Sequence, residues 1–370
     1  MQVSGRARFV VNIALMSAVV LLGVPGIALV QQASTLRATA FEADAHWPSV
    51  PTGWVLGEVS SVAAGPQNHI WVLHRPHSVP PEKRSTAAPP VLEFDTSGKS
   101  IRSSGGPGAG YEWPDREHAI HVDSSGFVWI TGNAGWDPPA TDGRGDDMIL
   151  KFTSEGKFVL QIGRRGQSVG NTDRSNVHQA ADVFVHTATN ELFVADGYGN
   201  QRVVVFDAGT GRFKRMWGAF GNVPPTAITR NASQWASPDA DASQFGLVHA
   251  VEVSNDGIVY VADRTYRRIQ TFTLAGQFLR EARVGGSDLV PGVPAGLAFS
   301  RGPEQRSLYV IDSGRIAILD RRTLAEIGSY GQRGQFGILH HMAADAEGSL
   351  YTADVRSQRG QRFVAPTMKR

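Results

Sequence analysis

The sequence predicts an all-β fold, a six-bladed β-propeller, on the evidence of a hairpin that recurs six times. Each copy has an apolar strand, a turn containing Gly or Asn, and an aromatic strand that in most copies ends near Asp. The spacing of these copies, 42 to 67 residues, is typical of propeller blades with loop insertions. The aromatic centres of the six copies are Trp71, Trp129, Phe193, Tyr260, Tyr309 and Tyr351.

Alternating apolar and polar residues predict further strands after each hairpin, most clearly over 203–207 and 268–272. A repeat this regular is better counted as one closed body than as two domains, so we expect residues 54–370 to form a single propeller. The last blade has only about three strands of its own. We therefore expect Trp54–Val59, or a neighbouring segment, to close the ring against it.

The N-terminus has the pattern of an export signal. Arg6 and Arg8 precede an apolar run over 9–30, which a Pro25-Gly26 break interrupts near its end. We expect residues 1–33 to be a signal peptide or an N-terminal membrane anchor, followed by a linker over 34–53. The protein is therefore predicted to be exported, periplasmic or extracellular, either free or anchored through residues 9–30. The absence of cysteine excludes disulfides and a cysteine-linked lipid anchor.

The charge balance argues against one large class of partner. The 36 basic and 34 acidic residues leave a formal net charge of +2, which is too small an excess of positive charge to indicate nucleic-acid binding. No obligate protein partner is evident either.

Three histidines occupy one equivalent position of the repeat, eight residues before the turn glycine in copies two, four and six. They are His118, His249 and His340. Alternate blades of a six-bladed ring are about 120° apart, so imidazoles at one inner position converge on the axis. The same position in the other copies holds small residues that leave room there, Ser60, Ala181 and Ala295.

Three neutral imidazoles with a fourth position open are typical of catalytic zinc, although imidazole also suits Fe, Cu and Ni. The alternative is that the three rings pack in the tunnel mouth and hydrogen-bond to their neighbours. A buried imidazole cluster without a metal is costly, which favours the metal site.

Several segments resemble a known family, the peptidyl-α-hydroxyglycine α-amidating lyases, or peptidylamidoglycolate lyases. These segments are 194–202 (VADGYGNQR), 261–264 (VADR) with 268–270, and His74-Arg75. The family is a six-bladed propeller of NHL-type repeats. The resemblance extends from about Val59 to Phe363 and places the family's zinc ligands on His118, His249 and His340.

The resemblance also implies an activity, a small peptide or α-hydroxy acid as the partner, and further site residues. The family cleaves the carbon–nitrogen bond of a peptide ending in α-hydroxyglycine, which gives a peptide amide and glyoxylate. Its catalytic tyrosine falls on Tyr198 and an active-site arginine on Arg75, while Arg264 matches a second arginine of the substrate pocket. A guanidinium can bind a carboxylate with two hydrogen bonds, so Arg75 and Arg264 are expected to hold the substrate carboxylate.

The sequence departs from the family in ways that keep other functions open. The family's structural calcium uses an aspartate directly after the third histidine, where this chain has His341, and this argues against calcium. The chain also lacks the family's disulfides. The alternatives are a propeller that binds a peptide or cell-envelope partner, an enzyme for a different small α-hydroxy compound, and a purely structural NHL-type module.

Two sets of acidic residues are assigned structural roles. A loop insertion has four aspartates, for which solvated turns are favoured over calcium binding. Aspartates also recur directly after the second strand of several blades, where we expect them to cap turns. The first set is Asp137, Asp142, Asp146 and Asp147, and the second is Asp196, Asp263, Asp312 and Asp354.

Overall fold

The computed structural model describes residues 41–44, 46–135, 144–226, 242–285, 293–332 and 335–365. The predicted leader over 1–33, and Asp137 and Asp142 of the acidic loop, lie outside these residues. The regular secondary structure of the described chain consists of β-strands and a few short 3-10 turns. None of the described helices is long and apolar enough to cross a membrane.

In chain order the strands are β1 (Glu42–Asp44), β2 (Glu58–Ala64), β3 (Ile70–Arg75), β4 (Val91–Phe94), β5 (Ser100–Ser104), β6 (Glu117–Val122), β7 (Val128–Gly132), β8 (Met148–Phe152), β9 (Phe158–Gly163), β10 (Asp182–His186), β11 (Glu191–Asp196), β12 (Arg202–Asp207), β13 (Phe213–Trp217), β14 (Val248–Val253), β15 (Ile258–Asp263), β16 (Arg268–Thr273), β17 (Phe278–Arg283), β18 (Pro294–Phe299), β19 (Ser307–Asp312), β20 (Arg315–Asp320), β21 (Glu326–Tyr330), β22 (Leu339–Ala344), β23 (Leu350–Asp354) and β24 (Arg359–Val364). The 3-10 turns are Pro66–Asn68, Pro76–Ser78, Pro81–Thr86, Thr187–Thr189 and Ala219–Gly221.

These strands form six antiparallel sheets of four strands, so the predicted six-bladed propeller is confirmed. Blades one to five are β2–β5, β6–β9, β10–β13, β14–β17 and β18–β21, each from the inner to the outer strand. Blade six is β22, β23 and β24 with β1 outermost. The inner strand of each blade contacts the inner strands of both neighbours, and contact between β22 and β2 closes the ring.

The aromatic residues that define the repeat lie in the second strand of each blade and are buried. They pack into apolar clusters that join adjacent blades; one such cluster joins Trp71 and Leu73 of blade one with Ile120 and Ile130 of blade two. The apolar side chains of each sheet therefore pack against those of the neighbouring sheet. Burial between blades replaces the single central core of a sandwich.

The recurring aspartates after the second strand are structural, as predicted. Asp196 accepts a hydrogen bond from the backbone N–H of His178 at 2.8 Å and from Nε of Arg202 at 2.8 Å. Asp263 is paired in the same way with Arg268 at 3.0 Å. These buried carboxylates cap the loops that lead into the blades and bind the following strand.

Ring closure uses a strand upstream of the segment expected to provide it. β1 pairs with β24 in antiparallel register, with Glu42 opposite Val364 and Asp44 opposite Arg362. This strand lies within 34–53, the predicted linker, whereas Trp54–Val59 leads into the inner strand of blade one. A three-residue edge strand shows no alternation of its own, so the sequence pattern did not indicate its position.

We predict that Phe41→Ala lowers the free energy of unfolding by about 3–5 kcal/mol, because Phe41 is buried beside the closing strand. Its ring packs edge-on against Tyr309 and Tyr330, with centroids 5.9 and 5.7 Å away. Equilibrium urea unfolding measures the change, with the exposed Val169→Ala as the control. Equal stability of the two variants would show that this segment does not contribute to the propeller.

Candidate metal centre

Five of the six inner strands have a β-bulge at the level of the predicted ligands. In β6 the register shifts between Glu117 and Ile120, and in β14 between Val248 and Ala250. Similar shifts occur in β2, β18 and β22. An extra residue on one strand changes the direction of its side chains, and such bulges are common beside active sites. Here they shape the wall of the axial channel.

The structure brings His118, His249 and His340 together at the axis. Their ring centroids are 4.6 Å apart for His118 and His340, 4.9 Å for His249 and His340, and 5.4 Å for His118 and His249. All three side chains are buried. The predicted convergence of alternate blades therefore holds in the structure, while the role of these residues as metal ligands stays a prediction.

A backbone carbonyl of the next blade fixes the orientation of each ring. Nδ1 of His118 lies 2.7 Å from the Ala181 oxygen, Nδ1 of His249 lies 3.0 Å from the Ala295 oxygen, and Nδ1 of His340 lies 2.7 Å from the Ser60 oxygen. A carbonyl oxygen accepts only, so Nδ1 must have the proton and Nε2 keeps its lone pair. This is the arrangement found behind metal-binding histidines.

The three acceptors, Ser60, Ala181 and Ala295, occupy the ligand position in blades one, three and five. The sequence suggested only that their small side chains leave room at the axis. The acidic residues next to His118 in the sequence bind other partners. Glu117 accepts from the Trp113 indole at 2.8 Å, and Asp115 pairs with Arg165 at 2.6 Å.

A fourth histidine, His341, joins the group, and the sequence did not indicate it as a ligand. One ring nitrogen from each of the four histidines can be chosen so that all four lie within 4.8 Å of one another. The His341 centroid is 4.7 Å from that of His340 and 5.3 Å from those of His118 and His249. Because consecutive residues of a regular strand face opposite sides, the His-His pair gave no signal of this arrangement.

Tyr198 lies against two of the imidazoles. It is buried in the loop between β11 and β12, with its Oη 3.0 Å from Nε2 of His118 and 3.2 Å from Nε2 of His249. The loop packs closely because residue 197 is glycine: a Cβ there would lie 2.0 Å from the Val248 backbone oxygen. The structure thus places the phenol predicted to be catalytic directly beside the predicted ligands.

The environment keeps all four imidazoles neutral. Burial is the main cause that lowers the pKa of His118, His249 and His340 well below the ordinary value, and neighbouring imidazoles or arginines lower it further. Burial, with Arg75 and Arg264, also lowers the pKa of His341 to about 3. Neutral imidazole is the form that binds metal, so protons compete weakly at this site.

The two predicted arginines both lie near enough to lower histidine pKa values, but they are held differently. Arg75 is buried; its Nε donates to the Glu117 carbonyl oxygen at 2.8 Å and its Nη1 to Glu58 at 2.6 Å. Its guanidinium is therefore partly engaged in an ion pair with a carboxylate of its own blade. Arg264 is half-buried beside the channel, and its charge acts on His249 and His341.

Two carboxyl groups lie further along the channel. Asp182 and Glu252, with His121 and His341, line a cavity of about 240 Å³. Burial raises the pKa of Asp182 to about 7 and that of Glu252 well above its ordinary range, and the charge of Asp182 contributes to the shift of Glu252. Neither residue was singled out from the sequence, because an isolated acid in a strand has no repeat position to mark it.

The described aspartates of the acidic loop, Asp146 and Asp147, are buried, so the prediction of solvated turns was wrong for them. Asp146 accepts hydrogen bonds from the backbone N–H groups of Asp115, Arg116 and Ala134 at 2.8 to 3.1 Å, so it has a structural role.

His74, part of the family-like motif in blade one, is also structural. Its Nδ1 accepts from the Gly57 N–H at 3.1 Å.

The residues present fit a metal ion. Three Nε2 lone pairs are directed by fixed Nδ1 donors, and Nε2 of His341 is buried without a hydrogen-bond partner in the described chain. Such a group of unprotonated nitrogens is costly to bury unless a cation binds it. Fold and site together define a six-bladed propeller with a polyhistidine centre on its axis.

Comparisons with curated proteins support the resemblance seen in the sequence. The chain is 25% identical to peptidyl-glycine alpha-amidating monooxygenase B of Xenopus laevis over 87% of its own length and 35% of that protein. It is 24% identical to the probable peptidyl-alpha-hydroxyglycine alpha-amidating lyase pgal-1 of Caenorhabditis elegans, over 84% of this chain and 74% of the relative. Human NHL repeat-containing protein 3 is 22% identical, over 88% and 84%. The chain is thus a homologue of amidating enzymes and of NHL-repeat propellers.

The chain spans about a third of the length of the vertebrate monooxygenases it matches. No protein-family model matches it. Among solved structures, a streptogramin B lyase superposes with a TM-score of 0.52 at 10% identity, over 88% of this chain and 98% of the other. The WD40 propeller domain of Doa1 superposes with a TM-score of 0.50 at 10% identity, over 89% and 98%. These likenesses confirm the propeller fold.

We predict that His118→Ala, His249→Ala and His340→Ala each remove most of the bound metal, because a site that loses one of few ligands loses affinity and geometry. Elemental analysis of the purified proteins measures the metal content. His77→Ala, which removes an exposed histidine, is the control. Full occupancy in all three variants would exclude this site.

Proposed function

We propose that this protein is a metal-dependent lyase that cleaves the carbon–nitrogen bond of a peptide ending in α-hydroxyglycine. The products are the peptide amide and glyoxylate. The observation that supports this most directly is the position of Tyr198 Oη, 3.0 and 3.2 Å from Nε2 of two axial histidines. Homology to amidating enzymes over most of the chain supports the same reaction class.

His118, His249 and His340 would hold the metal, for which we propose zinc, through Nε2. A bound zinc ion lowers the pKa of a coordinated hydroxyl, which is the chemistry that an α-hydroxyl substrate requires. The Ser60, Ala181 and Ala295 carbonyls keep the three rings in the required tautomer. The burial of these side chains limits the access of water to the site.

Tyr198 is the proposed base. Acting as the phenolate, it would accept the proton of the α-hydroxyl as the carbon–nitrogen bond breaks and the hydroxyl carbon becomes the aldehyde of glyoxylate. The departing amide nitrogen takes up one proton, so the reaction balances without a further reactant. Tyr198 is close enough to the histidines to reach a hydroxyl bound among them.

Arg264 and Arg75 are proposed to hold the substrate carboxylate. Arg264 is the more accessible of the two, since it is half-buried while Arg75 is buried. Arg75 already binds Glu58 and the Glu117 carbonyl through two of its nitrogens, so it provides a fixed positive charge beside the site. A guanidinium is suited to this role because it presents several N–H groups in one plane.

Export to the periplasm or the extracellular space, with cleavage or anchoring of the leader, remains part of the proposal, as does a peptide or α-hydroxy acid partner.

A second function is favoured by one comparison. NHL repeat-containing protein 3 matches as much of the chain as the amidating enzymes do. A propeller that binds a peptide or cell-envelope partner would retain metal but show no turnover, and an enzyme for another α-hydroxy compound would not release glyoxylate.

We predict that Tyr198→Phe lowers turnover about 100-fold or more while metal content stays unchanged, because phenylalanine keeps the ring and removes only the hydroxyl. Glyoxylate release from an α-hydroxyglycine peptide measures turnover. Elemental analysis of the same sample serves as the control for the metal site. Unchanged turnover would mean that Tyr198 only forms part of the pocket wall.

We predict that blocking the substrate carboxylate as an amide weakens binding by roughly 1.5–3 kcal/mol, the usual value of a charged hydrogen-bonded pair. The comparison is made in the native protein and in Arg264→Gln. If Arg264 holds the carboxylate, the difference between free and blocked substrates shrinks in the variant. An equal difference in both proteins would exclude Arg264 from this role.

A further inference from the structure

The β-bulge of β22 brings two consecutive histidines to the same channel. The register passes from Leu339 opposite Asp354 to Met342 opposite Thr352, so β22 has one residue more than its partner over this stretch. In a regular strand His340 and His341 would face opposite sides of the sheet. With the extra residue, both rings lie in the axial group, with centroids 4.7 Å apart.

The surroundings of His341 are those of a ligand rather than of a packed core residue. The side chain is 4% exposed, and its Nε2 is buried with no hydrogen-bond partner among the described residues. Its other nitrogen, Nδ1, lies 3.8 Å from Oδ1 of Asp182, which is beyond hydrogen-bond distance. A buried imidazole with one unsatisfied nitrogen is costly unless something binds that nitrogen.

Two arginines and two carboxyl groups lie around the histidine group. Arg75 and Arg264 are close enough to act on the histidines, and both repel a divalent ion. Asp182 and Glu252 are the carboxylates that line the channel cavity together with His341. Asp182 is held in place by the Val251 N–H, which donates to its Oδ2 at 3.2 Å. Two carboxyl groups therefore lie on the His341 side of the site, and a bound cation would favour their ionised form.

We infer that His341 is a fourth ligand of the metal, and that Asp182 is a positioning residue that faces its Nδ1. The inference rests on the proposed metal centre and adds to it a ligand that the three-histidine pattern does not include. Four neutral imidazoles favour a divalent first-row metal such as Zn, Fe, Cu or Ni over the oxygen-preferring Ca²⁺ and Mg²⁺.

X-ray absorption spectroscopy of the metal-loaded protein tests the inference, because scattering from imidazole rings gives the number of histidines bound. We expect four in the native protein and three in His341→Ala. Competition with a chelator measures affinity, and we expect His341→Ala to lose more than the roughly 10–100-fold that removal of an outer-shell partner costs. Asp182→Asn, which keeps the shape and removes the charge, should lose about 10–100-fold.

His121→Ala is the matched control, since His121 lines the same cavity but lies outside the four-histidine group. It should bind metal as tightly as the native protein. If His341→Ala does not fold, His341→Gln provides the same comparison at nearly unchanged volume. Three bound imidazoles in the native protein, with native affinity in the His341 variant, would overturn the inference and leave the three-histidine centre intact. Full metal occupancy in His118→Ala, His249→Ala and His340→Ala alike would instead refute the proposed centre itself.

Discussion

The candidate site depends on three hydrogen bonds that cross from one blade to the next. Each axial histidine donates Nδ1–H to a backbone oxygen of the following inner strand, at Ala181, Ala295 and Ser60. Blades two, four and six thus contribute the rings, and blades three, five and one contribute the acceptors. A backbone oxygen is positioned by the sheet itself, so the direction of each Nε2 follows from the packing of the blades. The fold therefore determines the chemistry of the site without any dedicated acceptor side chain.

The fold and part of the candidate site could be predicted from the sequence, because both depend on the repeat. Equivalent positions in a ring of similar blades must lie at one level, so His118, His249 and His340 could be located before the structure was known. The same rule identified the aspartates after the second strands as structural. The roles of Ser60, Ala181 and Ala295 could not be predicted, because a backbone oxygen leaves no trace in the identity of its residue.

The features that were missed depend on register or on single contacts. His341 reaches the axis only because β22 has one extra residue opposite β23, and strand register is not visible in the sequence. Arg75 was identified correctly as close to the site, but its pairing with Glu58 depends on side-chain packing. β1 was missed because a three-residue strand is too short for a pattern. In each case the deciding information is a pairing between distant residues.

The closing strand links the assembly of the four-histidine group to the order in which the chain folds. Residues 42–44 pair with 362–364, which are among the most distant in sequence, so this contact closes one of the longest loops in the protein. The blade that it completes also contains His340. The histidines of blades two and four can meet earlier, whereas the third joins them in the sheet that closes the ring. Uptake of the proposed metal during refolding should therefore coincide with a slow, late step, and the bound ion would stabilise the closed ring.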